Sequence, residues 1–421
     1  MSLRAAIPLT RAGFHAAGGV LLVTREPPPA PPPAPGQPPL VTANPLEGAE
    51  ILLAVWDDGS VTALNGHVDL GTGIRTALGQ IVAEELDVAL GSVHMVLGDT
   101  ASVPNQGATI ASTSIQIHAA PLRTAAAQAR AWLLARAAQQ LAVEFSALRV
   151  RDGVVSVVDD DARTVAYGAL VSGQHVELML APNARLKAHQ DYRLVGTSQP
   201  RVDIPAKATG ELTFVHDMRV PGMLHGRVVR PPYAGADHGD FIGNTLDAVD
   251  ESSIAHIPGI RAVVVIRDFV GIVAEREEFA EQALRELKVA WKAWPGLHKL
   301  DDLEQAIRDN PSTQRKLVDE GDVDAAIAGA AQTMARNYVW PYQMHGSIGP
   351  SCALADWKGE SLTVWAGTQN PHVLRADLSR LMGLADVAID VIRMEAAGCY
   401  GRNCADDVAA DAALLSRAVG A

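Results

Sequence analysis

The sequence is short of cysteine, of positive charge and of long apolar runs. Its 421 residues hold three cysteines, Cys352, Cys399 and Cys404. Three thiols give neither a disulfide framework nor an iron–sulfur centre, since a cluster takes about four thiolates. If electrons pass through clusters, another chain carries them. Lys and Arg number 35 against 48 Asp and Glu, for a formal net charge of -13. That balance disfavours nucleic acid or an anionic membrane as partner, because both need clustered positive charge. No apolar run reaches the ~18 residues of a membrane span. His67, His118, His216, His225, His345 and His372 lack metal-ligand spacing. Cys399 and Cys404 have no His/Cys partner pair and read as packed thiols. No solenoid-type repeat is present.

What is present suits a globular chain of two or three domains: 48% hydrophobic and 20% charged residues. The N-terminal stretch "LTRAGFHAAGGVLLVTREPPPAPPPAPGQPPL" reads as a disordered leader followed by an extended proline-rich linker. It also resembles a degenerate twin-arginine signal, with Arg11 standing alone where two arginines are expected. The expected location is therefore cytoplasmic, with periplasmic export as the alternative.

Beyond the linker, "ILLAVWDDGSVTALNGHVDL" predicts two strands joined by a turn at 57–60. Ile74, Leu78, Ile81, Val82 and Leu86 follow helical spacing. "SVHMVLGDT" predicts a strand, and "VPNQGATIASTSI" a loop. A long helix is expected from about Ala111 to Leu141, with Pro121 at its start or at a kink. A new unit begins near Asp203, with strands in "LTFVHDMRVPGMLHGRVVRPP" and "IRAVVVIRDFVGIVAE" and a helix in "EEFAEQALRELKVAWKAW". A further unit near Met334 should carry strands in "ARNYVWPYQMHGSIGPSCALADW", "SLTVWAGTQ" and "VIRMEAAG", a helix in "PHVLRADLSRLMGL" and a last helix in "CADDVAADAALLSRAVGA". Strands and helices mix without strict alternation, which favours an α+β fold over a doubly wound sheet.

Three loop-to-helix junctions are poor in charge and rich in Gly, Ser and Thr: Gly71-Thr72-Gly73, "GATIASTSI" and "AAGCYGRN". A glycine loop before a helix presents unpaired N–H groups and a positive dipole end, a combination that binds anions. Each alone reads equally as a turn or a cap. Gly71-Thr72-Gly73 lacks the third glycine of a dinucleotide fingerprint and the Gly-Lys-Ser/Thr of a P-loop, which argues against a nucleotide-dependent dehydrogenase. Together the three could converge on one polar, phosphate-bearing ligand at a domain interface.

At these residues the sequence resembles a family. "DIPAKATGELTFVHDMRVPGMLHGRVVRPP" is similar to the opening of the α/β hammerhead domain in molybdopterin-binding large subunits of the xanthine dehydrogenase and aldehyde oxidase superfamily. "HGSIGPSCALADW", "VWAGTQNPHVLR" and "GCYGRNCADDVAADAALL" resemble the first molybdopterin-binding region of those subunits. "GHVDLGTGIRTALGQIVAEELDV" with "GDTASVPNQGATIASTSIQ" resembles another cofactor-binding segment, placed ahead of the hammerhead as in isoquinoline oxidoreductase and bacterial nicotinate dehydrogenase large subunits. The resemblance divides the chain into a leader and linker (1–44), a molybdopterin-binding segment (45–200), a hammerhead domain (201–315) and an incomplete first molybdopterin-binding domain (316–421).

The resemblance implies molybdenum held through a molybdopterin, often in its cytosine dinucleotide form, with no side-chain ligand to the metal. It implies hydroxylation of an N-heteroaromatic or aldehyde substrate, water as oxygen source, and electrons leaving to [2Fe–2S] clusters in a small partner subunit. Gln369 corresponds to the residue that hydrogen-bonds a molybdenum ligand. Cofactor contacts fall on Gly71, Thr72, Gly73, Ala111, Ser112, Thr113, Ser114, Gly367, Thr368, Gln369, Gly398, Cys399, Tyr400 and Gly401. His345 and His372 flank these motifs and could line the substrate side. Thr72 stands where Gln is common, and Ala397 and Cys399 replace glycines of the tail turn. The family's basic Glu, in a late "GVGE" motif, has no counterpart here. The expectation is therefore a C-terminally truncated or split subunit needing a chain with the missing half, with apolar positions of its last helix exposed. The alternative is a non-catalytic remnant that binds cofactor or partner without turnover.

Overall fold

The computed structural model describes residues 7–28, 48–234, 241–294, 296, 301–309, 311–341, 343, 345–400 and 407–421. Its first unit contains β1 (Val20–Arg25), β2 (Glu50–Trp56), β3 (Val61–Asn65), β4 (Val93–Leu97), the meander β5 (Leu148–Arg151), β6 (Val154–Val157) and β7 (Asp160–Ala166), and β8 (His175–Met179). Its helices are α1 (Arg11–His15), α2 (Ile74–Leu86), α3 (Thr113–Gln116), α4 (Ala119–Leu141) and α5 (Tyr167–Val171). The main sheet runs β4-β3-β2-β1-β8. One face packs Leu21, Val23, Leu53 and Val55 under Leu78 and Val82 of α2 and Leu122 and Leu133 of α4. The opposite face packs Val20, Leu22, Ile51, Ala54 and Trp56 against Phe14 of α1.

This corrects the reading of the N-terminus. Residues 11–25 are not a disordered leader: β1 lies between β2 and β8. A strand covered on both faces reads as a short continuous apolar run, without the alternation that marks a half-buried strand. "VLLV" is such a run. Arg11 is a buried structural residue, donating to the carbonyls of Gly48 at 3.3 Å and Val103 at 3.4 Å. The proline-rich linker falls largely outside the described residues. Pro121 lies in the first turn of α4, so it marks a start rather than a kink.

The middle of the chain adds α6 (Ile204–Thr209), β9 (His225–Val229), β10 (Leu246–Asp250), β11 (Ile260–Ile266), β12 (Phe269–Ala274), α7 (Glu277–Glu286) and β13 (Lys288–Trp291). They form a β11-β12-β9 sheet and a β10–β13 ribbon. The helix expected through "KVAWKAW" stops at Glu286, because Lys288–Trp291 pairs antiparallel with β10. Its Val and Trp suit a pleated surface and alternate against the ribbon's core.

The last unit holds α8 (Leu303–Asp309), α9 (Val323–Gly329), β14 (Ala353–Trp357), β15 (Leu362–Ala366), α10 (Pro371–Met382), β16 (Ile389–Arg393) and α11 (Asp407–Val419). Residues 334–341 form no strand; pairing begins only at Ala353. β15 and β16 are parallel and joined through α10. The final helix does not expose its apolar side as expected. Ala409, Ala413, Leu414 and Leu415 are buried, and Leu415 packs over Gly226 and Gly271 of the middle sheet, where a Cβ would come within 2.6 and 2.5 Å of its methyls.

The front and tail units meet along β16. Thr100 N–H donates to Val391 O at 3.1 Å, and Val391 N–H donates to Thr100 Oγ1 at 2.9 Å. Gly98 (φ +69°) sits in this seam; a Cβ there would lie 2.3 Å from Val68 Cγ1 and 3.1 Å from Arg393 Cβ.

Candidate cofactor site

The first glycine loop is built around an internal anion. Asp69 is buried. Its Oδ1 accepts the N–H groups of Gly71, Thr72 and Gly73 at 2.9, 3.0 and 3.2 Å, and its Oδ2 accepts that of Arg75 at 3.0 Å. The amides expected to face a ligand anion are therefore directed at the chain's own carboxylate. Gly71 and Gly73 both have positive φ, 95° and 81°, which lets the turn close over Asp69. The loop's outer side is exposed, Thr72 with it. Arg201 Nη1 holds Gly71 O at 2.8 Å, and the same guanidinium grips Asp203. That grip, with Lys207 adding to it, holds the Asp203 carboxyl well below the usual carboxylate range. Lys207 lies 3.9 Å from Glu395, three residues before Gly398. A chain of charges thus runs from the front loop to the tail strand.

The second loop is stitched to the GTQ motif. Gln369 is 2% exposed. Its Nε2 donates to Thr109 O at 3.0 Å, and its own backbone carbonyl accepts Thr109 N–H at 3.0 Å. Thr109 Oγ1 in turn accepts Val68 N–H at 3.0 Å, next to Asp69. Ala111 and Ser112 follow with φ of 54° and 58°. Two successive non-glycine residues in the left-handed region are strained. Both are exposed, and among the described residues neither amide donates a hydrogen bond. Thr113 Oγ1 donates back to Ile110 O at 2.9 Å. Ser114 Oγ lies 2.7 Å from His67 Nδ1.

The tail turn shares a narrow cleft with the GTQ motif, lined by Ser347, Cys352, Gly367, Thr368 and Ala397 among others. Gly398 (φ 99°) and Tyr400 (φ 50°) bracket the buried Cys399. Ser347 Oγ donates to Gly398 O at 3.0 Å, and His345 Nδ1 donates to Tyr400 O at 2.7 Å. The Tyr400 side chain is exposed, and its ring lies against Gly398, where a Cβ would come within 2.8 Å of it. Gly401 and Cys404 lie outside the described residues. The two flanking histidines separate: His345 touches the tail turn, whereas His372 is core. His372 is buried, and burial, then Arg375 and Arg11, lowers its pKa to about 3.

The structure thus brings Gln369 to the second loop at Thr109, Thr368 to the tail turn, and Gly71 into the charge chain that reaches Glu395. Asp69, His67 and Arg201 escape a motif search. Asp69 left one trace, the Asp-x-Gly-x-Gly spacing, which suits a carboxylate that caps amides two and more residues on. No group of three or more His, Cys, Asp or Glu among the described residues could ligate a metal.

These polar groups fit a pterin-type group unevenly. The exposed Ala111–Ser112 amides, Ser114 and the glycine-opened tail turn suit an extended polar ligand, whereas the 71–73 amides are engaged by Asp69.

Comparison with known proteins bears on the same segments. Models of the molybdopterin cofactor-binding domain match residues 33–212 and, for a second such domain, 307–421. A nicotinate dehydrogenase component from Pseudomonas putida is 61% identical over 96% of this chain and 34% of its own length. The beta chain of isoquinoline 1-oxidoreductase from Brevundimonas diminuta is 26% identical over 98% of this chain and 58% of its own length. Among solved structures, aldehyde oxidoreductase from Desulfovibrio gigas aligns over 56% of this chain and 31% of its own, at 17% identity and a TM-score of 0.44. The chain therefore spans about a third of the first of these relatives and somewhat over half of the second. With two molybdopterin cofactor-binding domain models together matching more than half of it, the chain belongs to the molybdopterin cofactor-binding family.

Proposed function

We propose that this chain forms the cofactor-binding framework of a molybdenum hydroxylase large subunit acting on an N-heteroaromatic ring. A pyridine carboxylate such as nicotinate is the first candidate, supported by the 61% identity to a nicotinate dehydrogenase component. Aldehydes are the second substrate class. The bound molybdenum–pterin, in this reading its cytosine dinucleotide form, supplies the two-electron centre at which water oxygen enters the substrate. The chain's own residues bind and orient it. Gln369 is fixed at the metal end by its reciprocal bond to Thr109. Gly367, Thr368, Gly398, Cys399 and Tyr400 would form one wall. Ala111, Ser112, Thr113 and Ser114 form another, with Gly71, Thr72 and Gly73 beside it. Electrons pass to a small [2Fe–2S] subunit. The domain limits of this reading are 45–200, 201–315 and 316–421.

The single observation that carries the proposal is the Gln369–Thr109 pair, which joins residues 260 apart at the two expected cofactor motifs. A base needs a carboxylate within hydrogen-bond reach of the reacting water. The carboxylates around these loops are engaged: Asp69 by amides, Asp203 by Arg201 and Lys207, Glu395 by Arg393. The base is therefore assigned to a residue outside these loops, on a segment or chain equivalent to the rest of the relatives' length. Arg11 is built into the fold, so the stretch around it is not itself a removable signal; the proposed location stays cytoplasmic, with periplasmic export as the alternative.

The test is co-expression with the neighbouring genes, followed by molybdenum and pterin assay and nicotinate-dependent dye reduction. Stoichiometric metal with turnover supports the proposal. Folded protein with pterin and no turnover in any combination favours a cofactor-binding remnant, and folded protein free of both refutes the cofactor reading.

A further inference from the structure

The Ser114 hydroxyl has its hydrogen assigned by its neighbours. Ser114 Oγ lies 2.7 Å from His67 Nδ1. Across the same ring, Nε2 lies 3.3 Å from the Gln106 carbonyl oxygen. A carbonyl can only accept, so Nε2 carries the ring hydrogen. A neutral imidazole has a single N–H, so Nδ1 is a bare acceptor. His67 is fully buried, with the His118 ring 4.2 Å away centroid to centroid. Burial, then His118, lowers the His67 pKa to about 4, so the ring is neutral at neutral pH. Two further bonds hold this corner still. Gly66 N–H donates to Gln106 Oε1 at 2.7 Å, and His67 N–H donates to Asn65 Oδ1 at 3.0 Å. The hydrogen between Ser114 and His67 is therefore the serine's own, and it points at the histidine. Toward any other partner Ser114 Oγ offers lone pairs only.

We propose that His67 is a positioning residue that makes Ser114 an obligate hydrogen-bond acceptor toward the ligand, so that Ser114 takes an N–H of the pterin ring and not a phosphate oxygen. The inference rests on the cofactor reading above. Phosphate oxygens are acceptors, and lone pair facing lone pair repels. The amino and ring N–H groups of a pterin are donors that match. The Ser-rich loop is then not a uniform phosphate cradle: its position 114 reads the ring.

Two measurements test this on the full chain. The first needs no cofactor: two-dimensional nitrogen–proton correlation of the histidine-labelled protein. The expected result is a neutral His67 with hydrogen on Nε2, and an Nδ1 resonance that shifts in Ser114→Ala. Hydrogen on Nδ1, or an Nδ1 resonance unmoved by Ser114→Ala, overturns the proposal. The second is titration with a phosphate-free pterin and, separately, with inorganic phosphate. Ser114→Ala should weaken pterin binding by about tenfold, the loss of one hydrogen bond of about 1.4 kcal/mol, and leave phosphate binding unchanged. His67→Gln, which cannot reproduce the ring's two contacts, should weaken pterin binding in the same direction. The reverse pattern, phosphate weakened and pterin unchanged, overturns the proposal. Wild-type protein that binds neither probe overturns the cofactor reading and the recognition built on it, while the His67 tautomer still decides which way the Ser114 hydrogen points.

Discussion

The front loop at Gly71–Gly73 and the tail turn at Gly398–Tyr400 are both glycine-opened, and they are secured from opposite sides of the peptide. The front loop is held by its N–H groups, which converge on Asp69. The tail turn is held by its carbonyls, gripped by Ser347 and His345. A loop whose amides are engaged inside serves as a rigid wall. Similar glycine spacing in sequence therefore gives two differently secured turns: the front loop closes its amides on Asp69, and the tail turn has its carbonyls gripped by Ser347 and His345.

The comparison is broken most severely at Asp69. Asp69→Ala leaves four part-buried N–H groups at the start of α2 without their carboxylate and should cost about 3 kcal/mol. Urea unfolding at neutral pH measures it, and a loss below about 1 kcal/mol would show that the amides find other acceptors.

The next effect is acid sensitivity beside the front loop. His67 titrates at about 4 in the fold, against an ordinary histidine value of 6.5. Between these values the unfolded chain binds more protons. Stability from this group is thus full above pH 6.5 and is lost as pH falls toward 4, by about 3 kcal/mol at most. Asp99, in the seam, works in the opposite sense. Burial, with Asp390 adding to it, raises its pKa from 3.8 to about 6. Its contribution falls as pH rises from 3.8 to 6. The two slopes oppose one another, and paired variants separate them: His67→Gln removes the acid loss, and Asp99→Asn removes the neutral-pH penalty.

Gly98→Val attacks the seam itself. The added carbon meets Val68 and Arg393 at a positive φ, a strain and overpacking of about 2 kcal/mol. It should lower the melting temperature and pterin retention together. Asp99→Asn should raise stability at pH 7 by about 1 kcal/mol, a discounted share of the shift because the residue is only half-buried. Smallest is Ser347→Ala, which removes one carbonyl grip from the tail turn. It should cost about 0.5 kcal/mol yet reduce bound pterin, separating a local role in the turn from a global one.

Local patterns carried much of this into view. The turn at 57–60, α2 and α10 announce themselves by alternation, helical period and a proline at the helix start. β1 did not, because a central strand loses the alternation that identifies strands. The strand after α7 was hidden by helix-like residues running straight into it. At the site, motifs pointed to Gln369 and the Ser-rich loop but not to their partners. Gln369 and Thr109 are 260 residues apart, and His67 and Ser114 are 47 apart. The first pairing is set by how the tail unit docks on the front unit, the second by how the loop before α4 folds back over His67, and no local signal encodes either.

The central claim is that front and tail loops close around one molybdopterin. It is tested most directly by pterin released per chain from co-expressed protein, comparing wild type with Ser114→Ala in the Ser-rich loop and Gln369→Ala in the tail unit. The account predicts pterin near one per chain in wild type and less in each variant, with both variants still folded. Full retention by either variant would contradict it.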